Sequence, residues 1–368
     1  MGMLQLLHSD HGQSPWLDNL TRSHLNDGTL QRMVDDGIRG VTANPTIIAH
    51  AISSSADYDE QFASLTSAGR PVEDAYWQLV MTDAVDALAV LRPVFDAADG
   101  EDGFVSVEVA PGLAGNTQAT VTAATWLQRR IGMPNLMVKI PATPQGIPAI
   151  ENMTAAGHSI NITLIFSLAR YAEVVEAYLR GLERFTAGGG DPAQVHSVAS
   201  FFVSRVDTEV DRRLELLGTP DALTLRGRAA IAQAKSAYRL FTERFSSERW
   251  RRLERLGGHV QRPLWASTST KNPSYGDTKY VDELIGRDTV NTLPEPTILA
   301  FEDHGRLADT LTADVGESVE VIGRLTALGI DLDDVGRDLT EQGVAAFQRA
   351  FRDVLARLEA RTAAPSRR

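Results

Sequence analysis

Residues 135–143, NLMVKIPAT, place a single lysine in the middle of an apolar run that a proline closes. A run of this length bounded by turn residues reads as a strand buried on both faces. An ammonium at the centre of such a strand is costly unless it is paired, neutralised or used. Lys139 is therefore either a surface group or a chemical one, and the rest of the chain has to decide between them.

Seven further runs of the same kind follow one another along the 368 residues: SPWLDNL (14–20), GVTANP (40–45), GFVSVEVAP (103–111), SINITLIF (159–166), SVASFFVS (197–204), RPLWAST (262–268) and TVNTLPE (289–295). With LMVKIPA (136–142) they make eight strand candidates, separated by segments of helical spacing. One example is Leu168, Tyr171, Val175 and Tyr178 after a capping Ser167, which predicts a helix ending near Gly181. Eight βα units whose strands are apolar on both faces fit a closed parallel barrel, the α/β class of (β/α)8 TIM barrels, better than a sandwich. A doubly wound open sheet is the alternative.

The sequence reads as a single domain over residues 1–368, with extra helices added to the repeat. A long helical segment at 75–95 precedes the third strand, and a helical insertion near 225–256 precedes the seventh. A C-terminal helix near 335–361 carries apolar positions at Leu339, Val344, Phe347, Phe351, Val354 and Leu358. That apolar face fits the barrel itself or a second copy of the chain in a homodimer. AGGGD (187–191) reads as a loop, TAAPSRR (362–368) as a frayed end, and HSDH (8–11) as part of a solvated N-terminal tail.

Composition narrows the chemistry. With 36 basic against 48 acidic side chains, the formal charge of −12 disfavours nucleic acid and anionic membrane as partners, so an anionic ligand must be held by a few local cations. No cysteine is present, which excludes disulfides, thiolate nucleophiles and cysteine metal sites. The eight histidines are scattered rather than clustered as metal ligands, and GLAG at 112–115 lacks the dinucleotide spacing, so no metal or other cofactor is expected. Neither a basic, apolar leader nor a run of eighteen apolar residues is seen, which predicts a cytoplasmic location.

In a parallel barrel, reactive groups collect at the carboxyl ends of the strands. Here Asp18 ends the first run, Asn44 the second, Glu108 the third and Lys139 the fourth. Asn161 and Thr163 lie in the fifth, Ser200 in the sixth and Ser267 in the seventh. Each alone has a plainer reading: Asn44 before Pro45 is an ordinary strand-to-helix signal, and a strand carboxylate can face water. Together they repeat at equivalent positions of separate units. A desolvated lysine is nucleophilic and suits Schiff-base chemistry with a carbonyl substrate, for which Glu108 and Asp18 supply the two acid–base groups and no metal is required.

The same residues resemble the transaldolases over nearly the whole length. The motifs are WLDNLTR (16–22), GVTANPTII (40–48), VSVEVAPGLA (105–114), LMVKIPATPQGIPAI (136–150), INITLIFS (160–167), VASFFVSRVD (198–207) and LWASTSTKNPSYGDTKYV (264–281). The resemblance implies a class I aldolase barrel that moves a dihydroxyacetone unit between a ketose phosphate and an aldose phosphate in the pentose phosphate pathway. It implies Lys139 as the Schiff-base residue, Asp18 as the base for the C4 hydroxyl, and Glu108 as the proton relay through a water positioned by Thr163. Asn44, Asn161 and Ser200 would bind the dihydroxyacetone hydroxyls, with Phe202 also at the substrate.

Arg205, in SFFVSR, matches the family's phosphate-binding arginine; a surface arginine of the following helix is the plainer reading. Where many members have Ala-Ser-aromatic-Arg-Asn, this chain reads ASTSTKN, two residues longer, which makes Ser267 and Lys271 the candidates for the rest of the phosphate site. Lysine offers a point charge where arginine offers a fork. Lys279 is the weaker substitute. Fructose 6-phosphate aldolases share the fold and the lysine but carry tyrosine in place of Phe202 and glutamine in place of Glu108, so both positions favour the transferase. A non-catalytic sugar-phosphate-binding protein would have no use for Lys139, Asp18 and Glu108 together.

Overall fold

Eight parallel strands close a barrel in strict sequence order in the computed structural model, which describes residues 2–363. They are β1 Gln13–Asp18, β2 Gly40–Thr42, β3 Phe104–Glu108, β4 Leu136–Pro141, β5 Ile160–Ile165, β6 Ser197–Phe202, β7 Gln261–Ala266 and β8 Thr289–Leu293. Six of the eight expected segments contain their strand whole, β1 and β7 each begin one residue earlier than expected, at Gln13 and Gln261, and β8 pairs with β1 to close the ring. β3, β4, β5, β6 and β8 are buried along their whole length. That double burial is why they read as apolar runs rather than alternating ones.

Local signals account for the connecting helices. Ser167 Oγ accepts from the Arg170 amide at the start of the Leu168–Ala187 helix, as expected. The helix does not stop at Gly181, however. A methyl there would lie 2.6 Å from Thr154 Cβ and 2.8 Å from the Glu151 carbonyl oxygen. Gly181 is thus a close-approach point against the Gly146–Ala155 helix, and the stop comes six residues later at the glycine loop. In β2, Gly40 has the same kind of reason, since a Cβ would meet the Trp16 indole at 2.5 Å.

The additions to the repeat also resolve. The long segment before β3 is one helix, Val72–Ala97, and the insertion before β7 contains two, Ala229–Arg244 and Glu248–Glu254. Arg22 of the WLDNLTR motif ties β1 to the first of these: its Nε donates to Asp83 Oδ1 at 2.7 Å, while Tyr58 Oη donates to Asp83 Oδ2 at 2.8 Å.

The HSDH reading is corrected, because Met3–Ser9 is a helix that buries Leu4 and Leu7, and His11 Nδ1 lies 2.7 Å from Asp309. The apolar side chains ahead of the histidines, not the histidines themselves, set the fate of this segment.

The C-terminal helix, Leu332–Ala363, lies against the carboxyl ends of the strands. A methyl at Gly336 would touch Ser167 at 2.8 Å and one at Gly343 would touch Leu164 at 2.9 Å; Gln348 Nε2 donates to the Pro111 carbonyl at 3.3 Å. Leu339, Phe347, Val354 and Leu358 are buried there, so the helix spends its apolar face on its own barrel. Of the tail reading, residues 364–368 lie outside the described residues.

Candidate active site

Strand register brings the central groups level. Glu108 of β3 pairs with Lys139 of β4, which pairs with Asn161 of β5. Lys139 Nζ lies 3.7 Å from Glu108 Oε2 and 3.3 Å from the Ala43 carbonyl oxygen, and both side chains are about 95% shielded, at 5% and 4% exposure. The separation is that of an ion pair rather than a hydrogen bond. Burial pushes the Glu108 carboxyl up to about 7, with the lysine charge opposing. A carboxyl that titrates near neutrality can both give and take a proton at the lysine.

Asp18, at the end of β1, is also raised above the usual carboxylate range by burial, against the attraction of Lys139 and a hydrogen bond from Thr42. Thr42 Oγ1 donates to Asp18 Oδ1 at 3.0 Å and lies 2.6 Å from Thr292 Oγ1. Two acids thus flank one amine at the carboxyl end of the barrel.

A second network carries neutral polar groups. Asn161 Nδ2 donates to Ser106 Oγ at 3.0 Å, and Ser200 Oγ donates to Asn161 Oδ1 at 2.7 Å. Thr163 Oγ1 is buried, and no group among the described residues hydrogen-bonds it. Immediately after it the β5–β6 register shifts, and buried Leu164 sits at φ 59°, a conformation that a bulky residue rarely adopts. For Asn44 the plainer reading holds for half the side chain: Oδ1 caps the Pro45–Ser54 helix by accepting from Thr46 and Ile47, which leaves the amide Nδ2 for a ligand.

Around the rim, Arg205 is half-buried with its guanidinium 5.5 Å from the centre of the Phe202 ring, and no carboxylate pairs with it among the described residues. Phe202 packs in turn on Phe166 at 4.9 Å. Ser267 Oγ lies 3.0 Å from Ser204 Oγ, with the Ser267 backbone at φ 57°. Lys271 is exposed and donates to Ser269 Oγ at 2.6 Å; burial and the Arg205 charge pull its pKa down, Asp18 opposing, so it shares the field of those two groups. Lys279, the weaker substitute, pairs with Glu283 one helical turn on at 2.8 Å.

Three contributors were not singled out from sequence: Thr42, Thr292 and Ser106. Each stands two residues from a chosen position or on a facing strand, so strand alternation could have found Thr42 beside Asn44 and Ser106 beside Glu108. A separate cluster of Glu101, His196 and His259 lies at the opposite, N-terminal ends of the strands. His259 already uses both ring nitrogens, Nδ1 toward Glu101 at 2.7 Å and Nε2 toward the Ala193 carbonyl at 3.1 Å. Among the described residues no helix is long and apolar enough to cross a membrane.

A (β/α)8 barrel with a buried lysine between two carboxyl groups at the carboxyl ends of its strands defines the class of lysine-centred barrel enzymes. The family described as Transaldolase/Fructose-6-phosphate aldolase matches residues 15–358. A transaldolase of Saccharopolyspora erythraea is 49% identical over 349 residues, 94% of each chain. Transaldolase 1 of Streptomyces avermitilis is 48% identical, over 94% of this chain and 92% of its own. A transaldolase of Mycolicibacterium smegmatis is 46% identical, over 94% and 93%. The chain belongs to the transaldolase/fructose-6-phosphate aldolase family.

Proposed function

We propose that this protein is a transaldolase that transfers a dihydroxyacetone unit from sedoheptulose 7-phosphate to glyceraldehyde 3-phosphate, giving erythrose 4-phosphate and fructose 6-phosphate. The observation that carries the reading is Lys139, buried 3.7 Å from a Glu108 carboxyl that titrates near neutrality.

Lys139 attacks the C2 carbonyl as the free amine. Glu108, through a water held by Thr163, protonates the departing hydroxyl, which leaves as water and gives the iminium. Asp18 then takes the C4 hydroxyl proton, the C3–C4 bond breaks, and its electron pair passes to the iminium nitrogen to give the enamine. Addition to the acceptor aldehyde reverses these movements, with Asp18 returning the proton. Asn44 Nδ2, Asn161 and Ser200 hold the dihydroxyacetone hydroxyls, and Phe202 walls the site. Arg205, with Ser267 and Lys271, holds the phosphate.

In this reading the chain acts as one barrel domain in the cytoplasm. A homodimer has to use a surface other than the apolar face of the C-terminal helix, which the barrel already covers.

The test is borohydride reduction with fructose 6-phosphate followed by peptide mapping. A three-carbon adduct on Lys139 supports the mechanism; no adduct, or one on another lysine, sinks it. Fructose 6-phosphate aldolase is the second reading, and Phe202 and Glu108 speak against it. Turnover of fructose 6-phosphate should depend on added erythrose 4-phosphate. Equally fast release of free dihydroxyacetone without an acceptor moves the protein to the aldolase side.

A further inference from the structure

We infer that a two-hydroxyl chain, Thr292 to Thr42, positions Asp18 and assigns its two oxygens different tasks. Asp18 and Thr42 are register partners on β1 and β2, and Thr292 stands on β8, the other neighbour of β1. Thr42 and Thr292 are buried, at 1% and 3% exposure, so neither hydroxyl can exchange its partner for bulk water.

The direction of the chain follows from proton counting. An ionised carboxylate oxygen only accepts, and a threonine hydroxyl has one proton. The bond of 3.0 Å from Thr42 Oγ1 to Asp18 Oδ1 therefore uses the Thr42 proton. In the 2.6 Å contact between the hydroxyls, Thr292 must then be the donor and Thr42 the acceptor. A hydroxyl that accepts one hydrogen bond donates a stronger one, so Thr292 reinforces the bond that Asp18 receives.

Two consequences follow for Asp18. Its Oδ1 is occupied, and among the described residues no side chain bonds Oδ2, so Oδ2 is the oxygen that takes the proton from the substrate hydroxyl. The Thr42 bond also favours the ionised form, opposing the burial that raises the Asp18 pKa, and so keeps the base available near neutral pH. Thr42 and Thr292 are positioning residues in this account; neither touches the reacting atoms.

The inference rests on the transaldolase reading, and the borohydride adduct separates the two. Lys139 forms its imine with the whole ketose phosphate before Asp18 acts, so Thr42→Val, an isosteric change, still traps an adduct on Lys139, the six-carbon one of the uncleaved sugar or the three-carbon one that follows cleavage. It should lower kcat by about tenfold or more, the worth of a hydrogen bond to a charged group. It should also move the acid limb of the kcat profile up by about one pH unit, since the ionised form has lost a donor. Thr42→Ser should restore both. Thr292→Val should shift the limb the same way by less, and the double valine variant should match Thr42→Val alone.

A Thr42→Val protein that is folded by circular dichroism and traps the adduct, yet keeps the wild-type acid limb, overturns the inference. Additive effects in the double variant overturn it as well, since they mean the hydroxyls act separately. A wild-type protein that traps no adduct overturns the functional reading beneath it instead.

Discussion

Lys139 Nζ and Glu108 Oε2 lie 3.7 Å apart because β3 and β4 pair with those two residues opposite each other. Among the described residues neither group has another ionic partner, and neither can reach solvent freely. The lysine charge opposes the rise that burial gives the Glu108 carboxyl, and changes to either residue should show it.

Replacing Lys139 with methionine preserves the stem and removes the amine. Transfer activity should fall by on the order of 10⁴ or more, as when the nucleophile of a concerted set is lost. Borohydride labelling should disappear while the circular dichroism spectrum stays that of the wild type.

Glu108→Gln should slow imine formation by about 10²–10³, the range of a lost general acid–base group, as read by stopped-flow mixing with fructose 6-phosphate. The wild-type rate should bend near pH 7, where Glu108 titrates, and the variant should lose that bend.

The same residue sets a slope in stability. Its carboxyl titrates at about 7 in the fold against a reference of 4.5, so between those values the folded protein holds a proton that the unfolded chain releases. Stability should fall as pH rises from about 4.5 to about 7, and the cost is full above that window. Urea melts across this range should show a shallower fall for Glu108→Gln.

At the rim, Arg205→Ala should raise KM for sugar phosphates by about 10- to 100-fold, as expected for a half-buried charge-assisted contact. Lys271→Ala should raise it by only about two- to fivefold, and the difference should shrink in 0.5 M salt at roughly the Debye screening of an exposed charge. Equal losses for both variants contradict the ranking.

Gly181→Ala introduces a methyl 2.6 Å from Thr154 Cβ. It should cost about 1–3 kcal/mol of stability by overpacking the helix pair, measured by denaturant melts, with KM unchanged.

What the sequence by itself determined was the architecture and the chemical inventory. Eight apolar runs separated by helical spacing specify a parallel barrel, because strands buried on both faces carry a signal that no partner is needed to reveal. Lys139, Asp18 and Glu108 were legible because a charge inside such a run is conspicuous. Two local readings failed where another segment held the reason. Gly181 answers to Thr154 on another helix, and the segment before β1 to the core under it. Tertiary structure alone decided which groups touch. The 3.7 Å approach of lysine and glutamate, the split duties of Asn44, and the Thr292–Thr42–Asp18 chain across β8, β2 and β1 all arise from register between strands. Register is a property of pairs of strands, and the closing pair, β8 with β1, joins residues more than 270 positions apart.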